Sequence, residues 1–263
     1  EGLRWRSVKS FLRQCWIYSM LVSDEFQLCL RSGMYLEDYD VFFFDLDGLL
    51  VDTEPCFYRA FLQACAEFSL EVHWDFSTYY SHTTLGTEIF SKKFIEQYPQ
   101  AQEYMAEIFA KRLQIYYKSL EHAGPALMPG VEAFIELVLS LNKTFGVVTN
   151  SPRDATHTLR TMYPILNKFL FWVTRENYAR PKPYGDSYDY AYRTFAREGM
   201  KVIGFEDSVK GLRALSKIPA TLVCINSMAE ITPEDYPELK GKEFFSYPSF
   251  DVLTEHCSQQ KLL

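Results

Sequence analysis

Asp45 and Asp47 stand two residues apart and are followed at once by Gly48. Two carboxylates this close repel each other, and burying them without a counter-charge is costly, so the pair implies a bound cation or one raised pKa. The local donors are all oxygens, with no Cys or His pair nearby, and the cation that suits such a set is Mg²⁺. A bare pair of this kind is also what an ordinary acidic turn looks like. The fuller string Asp45-Leu46-Asp47-Gly48-Leu49-Leu50-Val51-Asp52-Thr53-Glu54 is far more specific.

The hydrophobic pattern tells which elements must position the pair. Val41-Phe42-Phe43-Phe44 is an apolar run without alternation and too short for a helix, so it reads as a strand buried on both faces. The carboxylates then sit at its carboxyl end, where open α/β sheets bind ligands, and Gly48 permits the sharp turn that follows. Further buried strands are predicted at residues 145–149, 171–174, 202–205 and 221–225, with an edge strand at 243–246. Helices fall between them, with one starting at Ser151 as N-cap and Pro152, others from about Asp186 and Ser208, and a last one over 249–256. This alternation implies a parallel sheet with right-handed crossovers.

Residues 55–122 carry no strand-like run. A helix is predicted from Pro55 to about Leu70, capped by Asp52 or Thr53, with Phe57, Phe61, Leu62, Cys65 and Phe68 on one apolar face. Two more are expected over 87–97 and 101–120, with Tyr79 to Gly86 left as a polar, aromatic loop. The expected fold is therefore α/β: a Rossmann-like parallel-sheet core of residues 39–54 and 124–263, with an inserted all-helical domain over 55–123. Residues 1–38 read as an extension. Arg4, Arg6, Lys9 and Arg13 precede an apolar run over 15–22 that is too short to span a bilayer, and an amphipathic, non-catalytic helix is expected there.

At 263 residues, 48% hydrophobic and 16% aromatic, the chain can bury a full core. Its formal net charge of −7 argues against a nucleic-acid surface. The six cysteines form no Cys-x-x-Cys pair or metal-finger spacing, which favours a reducing, cytoplasmic location. No membrane partner is expected, and the oligomeric state is not readable.

The string from Asp45 to Glu54 closely resembles the first motif of the haloacid dehalogenase-like hydrolases, in the subfamily that includes β-phosphoglucomutases and phosphoglycolate phosphatases. Three more motifs follow in family order: Val148-Thr149-Asn150-Ser151, Lys182 within Arg180-Pro181-Lys182-Pro183, and Glu206-Asp207-Ser208 leading to Gly211. Taken singly these read as a strand-to-helix turn, a loop lysine and a helix cap; their order is what carries weight. The third departs from the family pattern, reading Lys-Pro-Tyr-Gly-Asp up to Asp186 where the family has Lys-Pro-x-Pro-Asp.

The resemblance implies a Mg²⁺-dependent phosphatase of a small phosphorylated metabolite, with a helical cap over the site. It implies Asp45 as nucleophile, forming an aspartyl phosphate, and Asp47 as general acid and then base. It implies a metal held by Asp45, the Asp47 carbonyl and Asp207, with Glu206 near or in the shell, and Lys182 as a positive charge at the transferring oxygens. Thr149 and Asn150 would meet the phosphate, and Tyr80, His82 and Thr84 are the expected substrate contacts in the cap. Asp47 and the Glu206-Asp207 pair set the chain apart from haloalkanoate dehalogenases, which lack the second acid and need no metal. A phosphonate hydrolase would need a cap lysine; Lys92, Lys93, Lys111 and Lys118 read as surface helix lysines. A phosphosugar mutase and a catalytically idle binding protein remain as alternatives. Against the mutase stands Phe57, where β-phosphoglucomutases carry a histidine.

Overall fold

A computed structural model of the chain describes residues 33–120 and 124–260. From Leu36 onward these form a single compact unit. The helix expected around residues 15–22 lies outside the described residues.

The first strand, β1 (Val41–Phe44), is completely buried, as its unbroken apolar run requires. Its side chains alternate between two packed faces: Phe42 and Phe44 both stack on Phe205, while Phe43 meets Phe171 and Tyr188 on the opposite side. Among the described residues, four α-helices follow before Gly130: α1 (Glu54–Glu67), α2 (Phe76–Thr83), α3 (Thr87–Gln97) and α4 (Met105–Leu120). They share an apolar cluster of their own, in which Phe61, Tyr79, Phe90, Phe94 and Ile108 are buried.

After Gly130 the chain resumes its strand and helix alternation with α5 (Val131–Ser140), β2 (Thr144–Val148), α6 (Arg153–Met162), β3 (Phe171–Val173) and α7 (Asp186–Phe195). It continues through β4 (Val202–Glu206), α8 (Val209–Leu215), β5 (Ala220–Ile225), β6 (Phe244–Tyr247) and α9 (Phe250–Gln260). The six strands form one sheet in the order β3-β2-β1-β4-β5-β6, and every adjacent pair is parallel. β1 is thus central, flanked by β2 and β4, and all three point their carboxyl ends at one edge.

Three local expectations are corrected. The stretch expected as a loop from Tyr79 to Gly86 is helical as far as Thr83: Asp75 caps α2 by accepting the Thr78 N–H at 2.8 Å, and burial of Tyr79 and Tyr80 outweighs the weak helix propensity of a Ser/Thr-rich segment. Thr53 makes no side-chain cap bond to α1. Ser151 does not cap α6 either. Pro152 stands at the N-cap, the Glu176 carboxylate accepts the Arg153 N–H at 3.0 and 3.2 Å, and the Ser151 hydroxyl is used elsewhere.

Candidate active site

β1 and β4 run in a register that pairs Phe44 with Phe205, and the Asp45 N–H extends the ladder by donating to the Phe205 carbonyl at 3.1 Å. Asp45 therefore leaves the sheet beside Glu206 and Asp207. One ligand oxygen from each of Asp45, Glu206 and Asp207 lies within 4.8 Å of the others, and all three residues are buried. Gly48 makes room for the third. Its φ is +81°, and a Cβ there would stand 2.4 Å from Asp207 Oδ2, so neither the turn nor the carboxylate tolerates a side chain.

Lys182 enters the group from the loop after β3. Its Nζ donates to Asp45 Oδ1 at 2.8 Å, Glu206 Oε1 at 2.6 Å and the Val148 carbonyl at 2.8 Å. Burial by itself would lower the Lys182 pKa; the carboxylates of Asp45 and Glu206 outweigh it and hold the ammonium above the ordinary lysine value. A single lysine does not balance three carboxylates. Burial, then the charges of Asp45 and Glu206, push Asp207 well above the usual carboxylate range. Glu206 Oε2 and Asp207 Oδ1 are buried without a hydrogen-bond partner. Unsatisfied, mutually repelling carboxylate oxygens fit a hard divalent cation, so Asp45, Glu206 and Asp207 could hold a metal.

Asp47 is turned away from this acidic group. Its Oδ2 accepts from the Ser151 hydroxyl at 2.6 Å and the Thr149 hydroxyl at 3.1 Å. Thr149, expected at a phosphate oxygen, is thus committed to Asp47. Burial and then the charge of Asp45 raise the Asp47 pKa, while the Ser151 and Thr149 hydroxyls pull it the other way. Asn150 is a strut: its Oδ1 accepts from the Tyr178 hydroxyl at 2.8 Å and the Lys182 N–H at 3.0 Å. The altered third motif still delivers its lysine. Asp186 ties the loop back by accepting from the Arg180 backbone N–H and guanidinium, and the Lys217 side chain fills the space at Gly185, where a Cβ would lie 2.7 Å from it.

A cavity of about 390 Å³ opens over Asp45, Asp47 and Lys182, roofed by α1 to α4. The insertion presents Phe57, Phe90, Phe109, Arg112 and Tyr117 to it, together with Tyr79 and Thr83, one turn apart on α2, and Thr87 at the start of α3. Tyr80, His82 and Thr84 lie off this lining. Tyr80 bonds Asn226, the His82 ring packs against Trp74, and the Thr84 hydroxyl returns to the Ser81 carbonyl. The helical period of α2 is what selects positions 79 and 83.

Other lining groups carry no motif. Arg112 lies over the rings of Phe57 and Phe109, at 5.5 and 5.0 Å, and its Nη1 donates to the Tyr79 hydroxyl at 3.3 Å. Its Nε is buried without a partner. Arg175, by contrast, spends its guanidinium on the carbonyls of Tyr178 and Ala179. Buried Tyr188 donates to Glu206 Oε1 at 2.5 Å, and nothing in the sequence around it signals that role.

A parallel α/β sheet carrying acidic groups and a buried lysine at its carboxyl edge, under a helical insertion, defines a class of hydrolase built for phosphoryl chemistry. The family model for haloacid dehalogenase-like hydrolases matches residues 42–224, and the chain belongs to that family. Hexitol phosphatase B of Escherichia coli (strain K12) is 24% identical over 177 residues, covering 65% of this chain and 76% of that protein. Protein CbbY of Rhodobacter capsulatus is 24% identical over 208 residues, 76% of this chain and 87% of that one. The crystal structure of CbbY from Rhodobacter sphaeroides in complex with phosphate superposes with a TM-score of 0.64 at 22% identity, covering 82% of this chain and 96% of that one. The chain is an enzyme of the phosphoric monoester hydrolase kind. Among the described residues, no helix is long and apolar enough to cross a membrane.

Proposed function

We propose that the protein is a Mg²⁺-dependent phosphatase that hydrolyses a small phosphorylated metabolite through an aspartyl-phosphate intermediate on Asp45. The observation that carries this reading is the meeting of Lys182, Asp45, Glu206 and Asp207 at one sheet edge, with two carboxylate oxygens left unsatisfied. Asp45, Glu206 and Asp207, with the Asp47 carbonyl, would hold Mg²⁺, which when bound offsets the negative charge of both nucleophile and phosphate. An Asp45 carboxylate oxygen attacks phosphorus, the ester P–O bond breaks, and the leaving oxygen takes its proton from Asp47. Asp47 then accepts a proton from water as the water oxygen attacks phosphorus; the Asp45–phosphorus bond breaks and inorganic phosphate leaves. Burial beside Asp45 favours the protonated form of Asp47 that the first step needs.

In this reading residues 39–54 and 124–263 are the catalytic core, and residues 55–123 are a cap that shields the phosphoryl group and selects the leaving group. A cytoplasmic location is supported by the buried thiols of Cys56, Cys65 and Cys224, which form no disulfide. Phe57 favours hydrolysis over mutase chemistry. It stacks on Tyr116 with centroids 4.0 Å apart, beneath the Arg112 guanidinium, and can neither give nor take a proton.

Inorganic phosphate should be released from p-nitrophenyl phosphate with Mg²⁺ and not after chelation by EDTA. With β-glucose 1-phosphate plus a trace of the 1,6-bisphosphate, formation of glucose 6-phosphate faster than phosphate would establish the mutase instead. Arg112→Ala should raise KM for the natural substrate class by about tenfold or more, the scale of one hydrogen bond from a charged donor, with a smaller effect on kcat. An unchanged KM across a panel of phosphorylated metabolites would reduce Arg112 to a packing residue.

A further inference from the structure

Tyr80 belongs to the insertion and lies off the cavity, yet it reaches the metal-ligand edge from behind. We propose that Tyr80 is a positioning residue for Asp207, acting through Asn226. Asn226 directly follows β5, and every polar position on its amide is taken. Its Nδ2 donates to the Tyr80 hydroxyl oxygen at 2.8 Å and to the Asp207 backbone carbonyl at 2.6 Å. Its Oδ1 accepts the N–H groups of Met228 and Ala229 at 2.7 and 2.8 Å.

An amide with two donors and two acceptor directions has no alternative orientation when all four are in use. Turning it would set Oδ1 against the Asp207 carbonyl. The Tyr80 oxygen completes that set from a buried side chain, so losing it strands an amide N–H away from water. The end of α2 is anchored a second time nearby, where the Lys210 N–H donates to the Thr84 carbonyl at 2.9 Å. Asp207 is therefore held at its peptide by Asn226, while its carboxylate occupies the space that Gly48 leaves, with Oδ1 left for a ligand. Groups that orient a ligand from outside its bonds to metal typically change metal affinity by 10–100-fold.

This inference rests on the reading of Asp207 as a ligand to a divalent cation, and the test separates the two. The full chain, without substrate, is titrated with Mn²⁺, and binding is read from loss of the free-ion electron paramagnetic resonance signal. Tyr80→Phe should weaken Mn²⁺ binding about tenfold, the lower end of that range. Ser81→Ala, one residue away on the same helix and outside the bridge, should bind as the wild type does. Asn226→Asp keeps the two backbone bonds to Oδ1 but sets an oxygen against the Asp207 carbonyl, and should weaken binding further. It is the deciding variant if circular dichroism shows Tyr80→Phe unfolded. Saturable wild-type binding with unchanged affinity in the folded variants overturns the role of Tyr80 and leaves the metal site standing. No saturable binding by the wild type overturns both.

Discussion

Asp45→Asn is expected to cut phosphate release by at least about 10³-fold while the protein stays folded. The substitution keeps the size of the side chain and removes its nucleophilic charge, and losing a group that forms the covalent intermediate has effects on this scale or larger. Folding should survive for an electrostatic reason. Asp45 adds to the repulsion that raises Asp207 and Asp47, so an amide in its place relieves both neighbours while Lys182 keeps its bond to Glu206. The variant should therefore melt no lower than the wild type in metal-free buffer. Single-turnover experiments with ³²P-labelled substrate should find labelled aspartate in the wild type and none in the variant. Ordinary turnover by Asp45→Asn at matched purity would falsify the aspartyl-phosphate route.

Lys182→Met should lose both activity and stability, and Mg²⁺ should restore part of the second. The ammonium is 2% exposed and stands between Asp45 and Glu206, themselves 8% and 0% exposed. Breaking a buried ion pair from one side typically costs about 3–5 kcal/mol, because the partner charge stays buried and unpaired. For a chain of this size that corresponds to a fall in Tm of roughly 6–20 °C. A divalent cation at the same carboxylates replaces part of the missing charge, so the difference in Tm from the wild type should shrink when Mg²⁺ is added. Turnover should still fall by about 10²–10³-fold, since the positive charge no longer meets the developing charge on phosphorus oxygens. Equal Tm differences with and without Mg²⁺ would mean that the lysine and the cation do not share those carboxylates.

Residues that speak through local pattern are legible in the sequence alone. β1 announces itself because a strand buried on both faces must be continuously apolar; Asp45, Glu206 and Asp207 are readable because they sit at or just past strand ends, and Lys182 because its motif follows the others in order. The sheet brings those four together as expected from their order. What escaped is what only tertiary neighbours define. Arg112, Tyr188 and Asn226 are isolated side chains in unremarkable surroundings, and their importance comes from partners distant in the chain: Tyr79 for Arg112, Glu206 for Tyr188, and Asp207 and Tyr80 for Asn226. Ser151 reads as a polar residue at a helix start, yet its hydroxyl donates to the Asp47 carboxylate, a charged acceptor, while the Arg153 N–H at that helix start goes to Glu176. Tyr80, His82 and Thr84 belong to a segment whose composition reads as loop; as a helix it turns positions 79 and 83 to the cavity and 80 to Asn226.

The strut at Asn150 bears on the enzyme's timing. A single oxygen there receives both the Tyr178 hydroxyl and the backbone N–H of Lys182, which welds the loop after β3 to the end of β2. The lysine and the carboxylates are thereby held at their working distances before any substrate arrives, so little reorganisation energy is left for the core to supply during bond making and breaking. With residues 55–123 acting as the proposed cap, the opening and closing of that roof is the expected slow coordinate, and turnover should follow solvent viscosity more closely than it follows the leaving group's acidity.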